Sequence, residues 1–260
     1  MLKQPRYRFK GTAHTKSISF TDDVPWNLAK AFLSLECSRQ ILSYGCYAEL
    51  GYRPCLLGHI KSPNLKRLCY IWSDWTCWPT CDVRPVGILR TVTRLILHWH
   101  DPNPATIARL RKTYDGAMYQ VSWYALGQAV ADPPGFGQAF KSLTHVCISM
   151  RGFNLTKKLL SAATKLRYFV LIHLDTIDYS VEGAQEHHQD VIRRVAELGD
   201  RRVVLVSKDN VRDKDLLDSD KQNDFWVWVE GLVRGGFLTD TGVRWEDYVS
   251  PTTSVPEGAV

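Results

Sequence analysis

Apolar residues occupy the first, fourth and sixth positions of a short phrase that recurs along the chain. It reads Leu65-Leu68-Tyr70, Val92-Leu95-Leu97, Met118-Val121-Trp123, Leu143-Val146-Ile148 and Leu166-Phe169-Leu171. The starts lie 27, 26, 25 and 23 residues apart, an interval at which self-similarity marks stacked supersecondary units. Looser copies extend the series upstream, at Thr15-Ile18-Phe20 and Ile41-Tyr44-Cys46, and downstream at Val203-Leu205. Within each phrase apolar and polar positions alternate, the period of a half-buried strand.

Helical stretches fall between the phrases. Asp22-Asp23 followed by Pro25 opens Trp26 to Leu33, where the carboxylates serve unpaired N–H groups and proline suits the first turn. Asp101-Pro102-Asn103-Pro104 repeats the device before Ala105 to Tyr114, and Asn154 is placed to cap Leu155 to Ala163. Ala184 to Leu198 carries Val191, Ile192, Val195 and Leu198 at helical spacing and ends at Gly199. A strand–helix unit of this size cannot bury its own apolar face, so the units must stack. The expected fold is therefore an α/β solenoid, leucine-rich-repeat-like, with parallel strands on one side, helices on the other and a capping helix at the C-terminal end. Its boundaries read as a basic tail over 1–14, a repeat domain over 15–212, an acidic linker and capping helix over 213–236, and a C-terminal tail over 237–260.

The phrase resembles that of leucine-rich-repeat proteins at its first, fourth and sixth positions. A second resemblance lies in the last 120 or so residues. A strand with the run Arg202-Val203-Val204, an acidic stretch through Asp213, Asp215, Asp218 and Asp220, and a last helix opening Asp224-Phe225-Trp226 are similar to the C-terminal portion of fungal F-box-like leucine-rich-repeat proteins. Leu143-Thr144-His145-Val146 and Lys165-Leu166-Arg167 belong to the same pattern. The resemblance implies a substrate-binding or scaffold protein related to ubiquitin-ligase adaptors. An F-box opens with a Leu-Pro-rich segment, and none is read before Thr15.

Composition narrows the class. Of 260 residues, 45% are hydrophobic and 23% charged, which is the balance of a folded globular chain. The net charge of +6 favours acidic partners, yet the bases are spread. The cluster Lys3, Arg6, Arg8 and Lys10 reads as a solvated tail, and no nucleic-acid motif accompanies it. Without an apolar run of spanning length or a signal-like N-terminus, the expected place is intracellular, cytoplasmic or nuclear. An odd number of cysteines, 7, fits reduced thiols.

Candidate chemistry is sparse. Only Cys77 and Cys81 have a zinc-knuckle spacing and no second close pair exists, so no metal and no cofactor are expected. His98, His100 and Asp101 form a conceivable acid–base cluster, the basis of an alternative reading as a hydrolytic enzyme. His187-His188 reads as a solvated helix start, and Pro133 to Gly137 as a turn. Trp72, Trp75 and Trp78 crowd a loop-like stretch. The remaining candidates are the strand positions that should face outward and form ladders across neighbouring units. Among them Arg67, Arg94, His98, Gln120, Tyr124, His145 and Tyr168 have the residue types that anchor protein interfaces. The expectation is a monomeric, non-catalytic protein-recognition module with no membrane or nucleic-acid partner. A repeat remnant without a dedicated partner is the third possibility.

Overall fold

The computed structural model describes residues 16–20, 24, 26–48, 60–72, 90–99, 140–150, 153–173 and 184–248. Among the described residues seven strands form one sheet: β1 (Ser17–Phe20), β2 (Ser43–Ala48), β3 (Arg67–Trp72), β4 (Arg94–Trp99), β5 (His145–Ser149), β6 (Tyr168–His173) and β7 (Val203–Ser207). All pair in parallel, and their spatial order is their chain order. The helices are α1 (Trp26–Leu33), α2 (Phe153–Ala162), α3 (Ala184–Ala196), α4 (Asp213–Leu217) and α5 (Lys221–Arg234). The chain is thus an α/β protein built on an all-parallel sheet.

The apolar phrase sets the register. Ile18, Tyr44, Leu68, Leu95, Val146, Phe169 and Val203 lie opposite one another in a single row, and Phe20, Cys46, Tyr70, Leu97, Ile148, Leu171 and Leu205 in the next row on the same face. First-position residues Ile41, Leu65, Val92, Leu143 and Leu166 are all buried just ahead of their strands. The chain enters β2, β3, β4, β5 and β6 through a repeated contact. One carbonyl of the preceding unit accepts two successive N–H groups: Lys16 O from Leu42 and Ser43, Leu42 O from Lys66 and Arg67, Lys66 O from Thr93 and Arg94, Thr93 O from Thr144 and His145, Thr144 O from Arg167 and Tyr168. A recurring sequence phrase therefore produces a recurring backbone geometry.

One rung departs from the interval. β4 pairs directly with β5, Leu95 opposite Val146, where the interval expects the Met118-Val121-Trp123 phrase to contribute a rung between them. Alternation of apolar residues is a local signal, whereas strand pairing is decided by which neighbour completes the ladder. That phrase, with Gln120 and Tyr124, lies outside the described residues.

The two faces of the sheet are covered differently. Ala29, Phe32 and Leu33 of α1, Leu159 of α2, and Val191, Ile192 and Val195 of α3 pack with the two phrase rows in one core. α3 ends at Gly199, whose φ of 65° is a conformation that glycine adopts without a Cβ penalty. The opposite face carries Cys69, Ile71, Ile96, Cys147, Val170, Ile172, Val204 and Val206, sealed by Val211, Leu216 and Leu217 around α4 and by Trp226 and Val229 of α5. Gly45 in β2 makes room for this, since a Cβ there would lie 3.2 Å from Leu217 Cδ2 and 3.2 Å from Ser19 Cβ.

Two C-terminal segments differ from their sequence reading. α5 does not close an end of the sheet: it contacts β6 and β7 and joins the core of a sheet face. Nor are residues 237–248 a free tail. Leu205 N–H donates to Leu238 O (2.8 Å) and Asp240 N–H to Leu205 O (3.1 Å), so this segment meets the outer edge of β7. Leu238 and Thr239 are buried there. An open parallel sheet must satisfy or shield its last edge, and a short chain segment does so without a helix.

Candidate functional site

Strand alternation puts Arg67, Arg94, His145 and Tyr168 on the second face, and pairing aligns them: Arg67 opposite Arg94, Arg94 opposite His145, His145 opposite Tyr168. Each meets α5 or the turn leading into it. Arg67 Nη1 donates to Ser219 O (3.0 Å) and Arg94 Nη1 to Asn223 Oδ1 (2.6 Å). The His145 ring lies edge-on to Trp226 with centroids 4.8 Å apart. Tyr168 is the rung facing Glu230: burial, and then the neighbouring Glu230 carboxylate, hold its hydroxyl above the ordinary phenol range.

The spacing of these contacts has a simple origin. Helical turns rise about 5.4 Å and neighbouring strands lie about 4.8 Å apart. A helix laid across a parallel sheet can therefore present one residue per strand over several strands. Ser219, Asn223, Trp226 and Glu230 advance by four, three and four residues while the ladder advances one strand each time. The four sequence-assigned positions lie in one row, and the row is covered by this chain's own C-terminal helix. The expectation that they face an outside partner is corrected to that extent. Parity placed them on the right face, and parity carries no information about what covers a face.

His145 shows how tightly the helix is seated. Burial, with Arg94 and then Arg167 adding like charge, pulls its imidazole down from 6.5 to about 4, against a small opposing pull from Glu230. Its Nδ1 lies 2.7 Å from Thr144 Oγ1 and its ring 5.1 Å from that of Tyr168. The folded state thus resists protonation that the unfolded chain accepts near pH 6.5. This contribution to stability is complete above about pH 6.5 and is lost as pH falls toward about 4. Between about pH 7 and pH 4.5, wild type is expected to lose more unfolding free energy in urea than His145→Phe, which keeps the aromatic packing but does not titrate. Equal losses in the two proteins would place His145 in solvent-like surroundings.

The fifth candidate in the described region, His98, is buried rather than outward-facing. It lies beside Ser149 on the same face, in the two adjacent strands β4 and β5. His98 Nδ1 is 3.3 Å from Ser149 Oγ, and Nε2 is 3.3 Å from Asp213 Oδ1 in the first turn of α4. Lys208 Nζ pairs with the same Asp213 carboxylate and donates to Val211 O (3.1 Å). A Ser–His–Asp–Lys chain thereby fastens α4 over one half of the face while the ladder holds α5 over the other. Local sequence joins His98 to His100 and Asp101, which lie outside the described residues. Asp213 is separated from His98 by more than a hundred positions, and only the fold brings the two together.

Two thiols on this face are packing groups. Burial pushes the Cys69 thiol, and that of Cys147 beneath the same helices, well above the ordinary range, which keeps both as inert packing groups. Among the described residues no group of three or more His, Cys, Asp or Glu side chains is arranged to hold a metal ion, and no helix is long and apolar enough to cross a membrane. Comparison with protein-family models, with curated proteins and with solved structures gives no match.

Proposed function

We propose that the chain is a non-catalytic, intracellular protein-recognition module, an array of leucine-rich-repeat-like units akin to the substrate-binding part of F-box ubiquitin-ligase adaptors. The transverse ladder of Arg67, Arg94, His145 and Tyr168 is taken by α5, so what carries this reading is the regular succession of strands itself. Parallel strands in chain order, with β2 to β6 each entered through the same bifurcated contact, support the repeat-array reading, since such arrays work by presenting residues at fixed spacing to a partner. With the second face filled by α4 and α5, recognition falls to the surfaces left open around it.

A hydrolytic alternative draws on the Ser149–His98–Asp213 alignment. Against it, Ser149 and His98 are both 0% exposed, and a nucleophile must reach its substrate. One experiment separates the two. The full chain is purified from its own cells by affinity capture, its companions are quantified, and the same sample is screened against ester and amide substrates beside Ser149→Ala. Stoichiometric recovery of a ligase adaptor or scaffold is the expected outcome. No such companion, together with a turnover that Ser149→Ala removes, would overturn the recognition reading in favour of hydrolysis.

A further inference from the structure

The turns through which the chain enters β3 to β7 are strongly basic. Lys66, Arg90, Lys141, Arg167 and Arg201 supply one exposed cation to each of these units. Lys61 and Lys165 add a second to the units of β3 and β6, and both are exposed. The five described entry segments, 60–66, 90–93, 140–144, 163–167 and 199–202, contain a single carboxylate, Asp200. Arg202 engages it through both Nη2 (2.5 Å) and Nε (2.8 Å). Carboxylates of the C-terminal helices are also engaged locally, Asp215 by Lys221 and Glu230 by Arg234. Among the described residues the strand-entry edge is therefore basic, with at least one exposed cation per unit from β3 to β7 and one carboxylate that is already engaged, and these units follow one another across the strands as α5 does.

From β3 to β7 the row covers four strand steps, about 19 Å at about 4.8 Å each. Four helical turns cover about 22 Å. An extended strand would bring same-side residues past at about 6.6 Å intervals and lose step with the cations. Duplex DNA presents one charge per about 1.7 Å of its axis, a density that the row does not match. A helix with one acidic residue per turn fits the spacing, for the reason that α5 fits its ladder one layer away.

We propose that this strand-entry edge is a docking surface for an acidic amphipathic helix of a protein partner, laid across the strands with one carboxylate meeting each unit. The proposal rests on the recognition reading above and supplies its partner chemistry. Surface charges of this kind steer association and fix register, so binding should be fast and salt-sensitive.

The test uses the full chain and a labelled helical peptide in an alanine and glutamine background, with glutamates at i, i+4, i+7, i+11 and i+14. A second peptide has the same composition with its glutamates spread around the helix. Fluorescence anisotropy at about 0.05 M salt, where screening is weak, should show the one-sided peptide binding more tightly than the spread one. The triple reversal Arg90→Glu, Lys141→Glu, Lys165→Glu should weaken that binding by more than about tenfold. Lys157→Glu, Arg193→Glu, Lys214→Glu reverses as many exposed charges elsewhere and should leave it within about twofold. Circular dichroism melts verify that both triples fold. Equal affinity for the two peptides, equal effects of the two triples, no binding at low salt, or tighter binding of duplex DNA would each overturn the proposal. Peptide binding without any captured companion from cells would leave this surface standing and defeat the adaptor reading. A captured companion with no peptide binding would do the reverse.

Discussion

A chain ending at residue 210 is expected to lose its cooperative melt and to bind hydrophobic dyes. Its sheet would keep α1, α2 and α3 on one face and present Ile71, Ile96, Val170, Ile172, Val204 and Val206 to water on the other, all of them fully buried in the intact chain. Each such side chain contributes about 1.5–3 kcal/mol through its burial, so six amount to on the order of 10 kcal/mol. Domains are stable by only about 5–15 kcal/mol in total. The same cut also removes Leu238, whose carbonyl accepts from Leu205 at the outer edge of β7, and exposes that edge to self-association. Dye fluorescence, light scattering and a thermal melt of the truncated chain decide the matter. A soluble product that binds no dye and unfolds in one transition would make α4 and α5 an appendage.

Phe169→Ala should cost about 3–5 kcal/mol and Leu95→Ala about 2–5 kcal/mol, from lost transfer energy and the cavity left behind. Both lie in the fourth-position row, Leu95 between Leu68 and Val146, and Phe169 between Val146 and Val203. A side chain flanked on both strands by fixed neighbours cannot be replaced by collapse, so these variants should sit toward the upper part of their ranges. Urea melts give the values directly. A change below about 0.5 kcal/mol, typical of surface positions, would remove either residue from the core and with it the register that places the ladder.

The candidate site is partly legible in the sequence. Alternation along a strand is set by backbone geometry alone, so the residue two before each buried Ile96, Cys147 or Val170 must share its face. Parity is therefore enough to group Arg94, His145 and Tyr168 with Arg67, and strand pairing agrees. The acidic stretch after β7 reads as a linker because a run of carboxylates suits water. In the fold Asp213 turns inward to His98 and Lys208, a contact between β4, the turn after β7 and α4 that no local pattern encodes.

Periodicity within a few residues is enough to set the α/β class, the register of the apolar rows and the parity of each ladder residue in the described strands. What covers each face depends instead on contacts between segments far apart in the chain. α5 is amphipathic, and such a helix is satisfied by any apolar surface it can reach. The end of the sheet and its second face are equivalent destinations as far as its own residues are concerned. The short connection from β7 through α4, the His98–Asp213 contact and the match of helical turns to strand spacing favour the face. The helix therefore occupies the row that alternation along the strands leaves uncovered.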